Sequence, residues 1–284
     1  LCSHFQQLCG NRDWTLQMVE VDLEKNEALH DLADPAIQGQ WIEKIRFFDI
    51  TVVVPDGSSF SRAHWNPGGP PPIRSAKYLL GFPWLTQKGR AVAERHNSII
   101  AFTWRALAEV EALRRTQAIT ALLVHPEDLG RIAQGGPADV PASIWRCKEF
   151  IGLFAAGWWS GAVLQCHWGA PTAKPTRLAM PLEVLGEVGL RALPEFCTEG
   201  FYTGPAVMCN HRHGASLLGK VPAKDLFRTR AAAALPERLC ALLAEKLLLS
   251  LDLEKSRLRP LCLLPAGGEL PSSKRRPSKQ CGRS

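Results

Sequence analysis

Apolar residues along this chain follow two periods, and the two alternate. Leu16–Asp22 (LQMVEVD) alternates and ends in acid, which predicts a strand. Asp34–Phe48 carries Ile37, Trp41, Ile42 and Ile45 at the spacing of one helical face. Ile50–Val54 is a β-branched run stopped by Pro55, which predicts a fully buried strand. Asp56–Pro83 contains scattered glycines and the run Pro70–Pro72, and predicts a long loop. Arg90–Gln117 predicts a long helix with Ile99, Phe102, Leu107, Val110 and Leu113 on one side. Ala118–Val124 reads as a second buried strand, Ile144–Ala156 as a helix, Gly161–Trp168 as a strand and Ala231–Leu251 as a helix. Strands alternating with helices predict an α/β domain over residues 1–252, with a mostly parallel, Rossmann-like sheet flanked by helices. Residues 253–284 form a basic tail whose Ser/Pro/Lys/Arg content predicts disorder.

Composition changes this picture only at the edges. The chain has 284 residues, 46% of them hydrophobic and 21% charged, which is a globular balance. A net charge of +7 favours an anionic partner, and part of the excess sits in the tail, in KRRPSK (Lys274–Lys279). That run fits nucleic-acid contact or nuclear import, so an intracellular and nuclear location is the expectation. Nine cysteines, odd in number and without a CxxC pair, predict free thiols in a reducing compartment. The longest uncharged apolar run, Phe150–Leu164, falls short of the roughly twenty residues of a membrane span.

Ligands of open α/β sheets bind beyond the carboxyl ends of the strands, and those ends are chemically distinctive here. Asp22 stands where an acid accepts hydrogen bonds from a ribose, or is a solvated strand end. Ser58, Ser59 and Ser61 follow a core strand but lack the GxSxG elbow, and read as turn formers. In VHPEDLG (Val124–Gly130), Glu127 and Asp128 read as acids of a helix's first turn. Cys209, His211 and His213 (CNHRH) share one face of an extended strand, and thiolate with imidazole suits zinc. Cys197 or a carboxylate would be the fourth ligand. The same residues read equally as a basic strip for phosphate, and the balance falls against zinc. Lys174-Pro175-Thr176-Arg177 reads as a cationic loop.

Taken in order, these segments resemble the class I S-adenosylmethionine-dependent methyltransferases. The likeness is to a divergent branch close to the DNA cytosine-C5 methyltransferases, as found in mobile-element polyproteins of dinoflagellate type. It runs from Val19 to Leu243 and rests on the order and spacing of PDGSSFSRA (Pro55–Ala63), GPPPIRS (Gly69–Ser75), HPEDLG (His125–Gly130), PASIW (Pro141–Trp145), QCHWGAPTAKPTRL (Gln165–Leu178) and FYTGPAVMCNHRH (Phe201–His213).

The resemblance implies a particular chemistry. A thiolate adds to C6 of a flipped-out cytosine, a glutamate supports protonation of the base, and C5 then takes the cofactor's methyl group. On this chain the thiolate position is Gly57 and the glutamate position Val124. The base-holding loop is Gly169–Arg177, with Arg177 matching. Asp22, Asp31 and Pro55 fall at cofactor-side positions. Glycine and valine carry none of the required chemistry, and Leu1–Trp14 holds only Gly10 where a glycine-rich cofactor loop is expected. A glycine-rich turn upstream of Leu1 would complete the S-adenosylmethionine site. The expectation is a degenerate DNA (cytosine) methyltransferase-like protein without activity. One alternative is a non-enzymatic DNA-binding module that uses Arg62, Arg74, Lys174, Arg177 and the tail on phosphates. The other is an active methyltransferase of different specificity.

Overall fold

The computed structural model describes residues 1–258 apart from 13, 67–68, 133–139, 183, 187, 190, 207–208, 214–216, 218, 220–227 and 229–233. The tail from 259 onward, KRRPSK included, and the start of the helix expected at Ala231 lie outside the described residues.

Six helices are described: α1 (Cys2–Gly10), α2 (Glu27–His30), α3 (Pro35–Lys44), α4 (Gln87–Leu113), α5 (Lys148–Ala155) and α6 (Glu237–Leu258). The strands are β1 (Ile50–Val53), β2 (Thr120–Pro126), β3 (Trp159–Leu164), β4 (Pro175–Met180), β5 (Glu195–Phe196) and β6 (Tyr202–Gly204). Local chemistry accounts for the helix starts. Asp34 accepts from Ala36 N–H ahead of Pro35 at the first position of α3, and Thr86 accepts from Gly89 N–H ahead of α4.

The main sheet has the order β1-β2-β4-β3. Only β1 and β2 are parallel, joined through α4 as a single β-α-β unit. β4 lies between β2 and β3 and runs against both, with His125 opposite Arg177 on one side and Ala162 opposite Arg177 on the other. The mostly parallel, Rossmann-like sheet expected from the sequence is therefore corrected to a small mixed sheet, with β5 and β6 as a separate antiparallel pair. The physical reason is β4 itself. Its charged start reads as a loop, yet Arg177 is fully buried within a strand, and a strand returning from β3 must run against it.

Three further expectations change. Leu16–Asp22 forms no strand, and Met18 and Val19 are exposed. β1, expected to be fully buried, is an edge strand and only half-buried. The strand expected to continue through Trp168 ends at Leu164 and tightens into a 3-10 turn over Gln165–Trp168.

Helices cover both faces of the sheet. On one face Ala121, Leu123 and Ala179 pack with Leu107 and Val110 of α4, and with Trp145, Phe150 and Trp158. On the other, Leu122, Val124, Leu178 and Met180 pack with Phe5 of α1 and with Leu239, Leu243, Leu247 and Leu248 of α6. Each such leucine contributes about 1.5–3 kcal/mol relative to an exposed position. α6 runs through the expected domain boundary at Leu253. Its Glu254 is fully buried and holds Arg114, at the end of α4, and Arg257.

Candidate functional site

One turn of α4 gathers the loops at the carboxyl end of β1. Arg95 donates to both oxygens of Asp31 at 3.1 and 2.8 Å. His96 Nε2 lies 3.4 Å from Asp56. Asn97 accepts from Arg74 and donates to Leu80 O, and Ser98 accepts from Gln38 and donates to Ala33 O. Four successive residues thus bind three separate segments, 31–38, Asp56 and 74–80, which is possible because successive helical side chains point around the whole circumference. Burial would push the Asp56 carboxyl up, but His96 and the Ser58 N–H outweigh it and hold it at about 2.

Beside that loop, the end of β2 carries a dry polar cluster. His125 is fully buried between Phe60 and Trp145, each edge-on to it, and neither ring nitrogen meets a well-aligned hydrogen-bond partner. Burial pushes its pKa down to about 3, so the imidazole is neutral. Glu127 faces Arg177 at 2.9 Å, and neither side chain is exposed. Arg177 Nη1 donates to Ser160 Oγ and Ala192 O. Burial pushes Glu127 up to about 7 against the opposing pull of Arg177. Next along, Asp128 pairs with Arg146. Glu127 and Asp128, expected to begin a helix, instead close ion pairs.

Gly57 sits against this cluster. A Cβ built there would stand 2.8 Å from Pro126 Cδ, 2.9 Å from Pro126 Cγ and 3.3 Å from His125 Nε2. Val124 points through the other face of the sheet into the cluster with Leu122 and Leu178. Asp22 turns back on its own backbone, with its carboxylate on Glu24 N–H and its amide beside His30 Nδ1. The structure therefore joins Gly57 to the Arg177 face of the sheet but places Val124 on the opposite face and Asp22 in a separate turn. Pro55 is buried. Arg62 donates to the carbonyls of Leu129, Gly130 and Arg131. Arg74 is buried and donates to Leu79 O, Asn97 and Ala93 O, with burial pushing its pKa down to about 10. Lys174 is half-buried at a positive φ of 30°, and burial pulls its ammonium below the usual range.

A second constellation forms where the β3–β4 connection meets Cys209–His213. Cys166, in the 3-10 turn after β3, joins Cys209, His211 and His213, with one ligand atom of each within 4.8 Å of all the others. Cys209 Sγ lies 3.5 Å from His213 Nε2, and the His211 and His213 rings meet edge-on at 4.7 Å. The fourth member is Cys166, not Cys197, which is held in the β5–β6 turn by its backbone bonds to Phe201 and Gly200. Sequence spacing could not identify Cys166, because folding alone brings the end of β3 to that segment. No described helix is long and apolar enough to cross a membrane. Comparison with protein-family models, with curated proteins and with solved structures returns no match.

Proposed function

We propose that this chain is a degenerate cytosine-methyltransferase-like domain of a mobile element that transfers no methyl group and retains association with nucleic acid. The order of its sequence segments supports the resemblance. The observation that carries the loss of chemistry is Gly57. It offers no nucleophile, and the rigid Pro126 ring stands where any side chain would begin. Without a covalent adduct C5 of cytosine is a poor nucleophile, so transfer fails at its first step. Val124, at the glutamate position, belongs to an apolar cluster on the other face of the sheet.

The residues present do not fit S-adenosylmethionine. Arg95 takes both oxygens of Asp31, and the Asp22 carboxylate caps its own turn. Association with nucleic acid rests on the +7 charge. Arg177 cannot contribute, being buried against Glu127, and Arg62 is spent on three carbonyls. Exposed cations such as Lys77 and Arg212 are left to make the phosphate contacts.

Incubation with labelled S-adenosylmethionine and duplex or single-stranded DNA is expected to leave cytosine unlabelled; stoichiometric or faster labelling overturns the reading. Fluorescence anisotropy with labelled DNA is expected to show binding that weakens steeply with salt, and absence of binding at low salt removes the second half. Calorimetric uptake of S-adenosylmethionine would instead favour an active methyltransferase of other specificity.

A further inference from the structure

We infer that Cys166, Cys209, His211 and His213 form a zinc site that pins the Cys209–His213 segment to the connection between β3 and β4. The inference does not rest on the methyltransferase reading: the four donors lie in two of the segments that carry the resemblance, Gln165–Leu178 and Phe201–His213, but none of them has a part in the methyl-transfer chemistry.

The donor set is the first ground. Two thiols and two imidazoles make a Cys2His2 set, the composition of closed structural zinc sites. Two thiolates balance the charge of the dication, and the imidazoles bind neutral, so the loaded site has no net charge. Binding releases the thiol protons to solvent.

The spacing of the donors is the second ground. Bonds of about 2.3 Å to sulfur and 2.0–2.1 Å to nitrogen give tetrahedral edges of roughly 3.3–3.8 Å. Cys209 Sγ and His213 Nε2 already stand at such an edge, 3.5 Å apart. The widest pair, within 4.8 Å, needs a contraction of about 1 Å, which side-chain rotation supplies. The Cys166 sulfur has the Cys209 thiol and the His167 backbone N–H as hydrogen-bonding neighbours. Backbone N–H groups of that kind support a bound thiolate.

Topology is the third ground. Cys209, His211 and His213 come from one short stretch without helix or strand, and Cys166 comes from a turn fixed by the hydrogen-bonded ladder of β3. A metal with ligands from both closes a long loop. Cys166, Cys209 and His213 are half-buried and His211 is exposed, so the ion can be loaded and chelated in the folded chain. Four protein ligands leave no open position for water, so the role is structural. His167 lies near, its ring 6.3 Å from that of His211, but outside the group of four.

The test uses the full chain purified under reducing conditions. Elemental analysis is expected to find one zinc per chain. Replacement by Co2+ is expected to give the visible absorption of a tetrahedral ion, with charge-transfer intensity from two thiolates. C166S and H213A should each weaken zinc binding by more than about tenfold, since loss of a ligand costs more than loss of a supporting group. C197S should bind as the unaltered chain does. Three results overturn the inference: no uptake of Zn2+ or Co2+ by the folded, reduced chain; a Cys166–Cys209 disulfide in place of metal, read by mass spectrometry after alkylation; or zinc affinity unchanged in C166S. The cobalt spectrum of the unaltered chain keeps the inference testable even where a variant fails to fold, because a spectrum with one thiolate or none also overturns it.

Discussion

The carboxylate of Glu127 and the guanidinium of Arg177 meet at 2.9 Å with both side chains fully buried. Glu127 follows β2 and Arg177 lies within β4, so the pair ties the end of one strand to its antiparallel neighbour. A buried ion pair is costly to break by halves, because the surviving charge has neither water nor partner. Arg177→Met is expected to lower the unfolding free energy by about 3–5 kcal/mol. The double variant with Glu127→Gln should recover a large part of that loss. Urea denaturation of the two single variants and the double variant measures the coupling. Additive losses would show that the two groups do not act as a pair.

Gly57 is expected to tolerate no side chain while Pro126 stands beside it. Gly57→Ala brings a Cβ to 2.8 Å from the ring and should cost about 1–3 kcal/mol, as overpacking does. Pro126→Ala removes the obstructing ring, so Gly57→Ala should cost less in that background, with a coupling above about 0.5 kcal/mol. Thermal melts of the four chains check it. The same clash predicts that Gly57→Cys with Val124→Glu yields no labelled cytosine.

His125 sets a pH dependence on the acid side. Its folded pKa is about 3 against an ordinary 6.5, so its contribution is present above 6.5 and is lost as pH falls towards 3. Glu127 has the opposite sign. Its folded pKa of about 7 exceeds the ordinary 4.5, so its contribution is present below 4.5 and is lost as pH rises through 7. The two offset each other between 4.5 and 6.5, and below 4.5 the loss from His125 stands alone. His125→Leu keeps the size and removes two unpaired nitrogens. It is expected to flatten the fall in stability between pH 4.5 and 3 and to leave the Glu127 fall uncovered between 4.5 and 7, whereas Glu127→Gln should leave the His125 rise in stability with pH uncovered between 4.5 and 6.5. Urea midpoints across this range decide both.

Glu254 predicts where the folded unit can be cut. It is fully buried and binds Arg114 from α4, so a chain ending at Asp252 leaves Arg114 without that acceptor. Such a chain is expected to be less stable than one ending at Leu258 by about 1.5–3 kcal/mol, since Arg114 loses the charged acceptor Glu254 but keeps Glu111. Comparison of their melting temperatures tests it.

Much of the secondary structure was legible from neighbours along the chain. The helical spacing of Ile37, Trp41 and Ile45 marks α3, the apolar side of Arg90–Gln117 marks α4, and the uncharged run before His125 marks β2, each within a few residues of its observed bounds. These signals are local, since period and capping depend on residues one to four positions apart. The Cys209, His211 and His213 trio was legible as a set of neighbouring donors, but the extended strand expected to carry it does not form, since 209–213 holds neither helix nor strand.

What the tertiary structure alone decided depends on residues that meet only after folding. A strand containing Arg177 reads as a loop until Glu127 is there to neutralise it, and without that strand the remaining alternation predicts a parallel sheet. Leu16–Asp22 has the alternation of a strand, but a strand forms only where a neighbour offers its ladder, and the sheet ends at β1. Cys166 carries no spacing signal towards Cys209, yet the turn after β3 delivers its sulfur to the same point. Periodicity is a property of adjacent residues, whereas the burial of a charge, the edge of a sheet and the fourth member of a Cys/His cluster are set by partners distant in sequence.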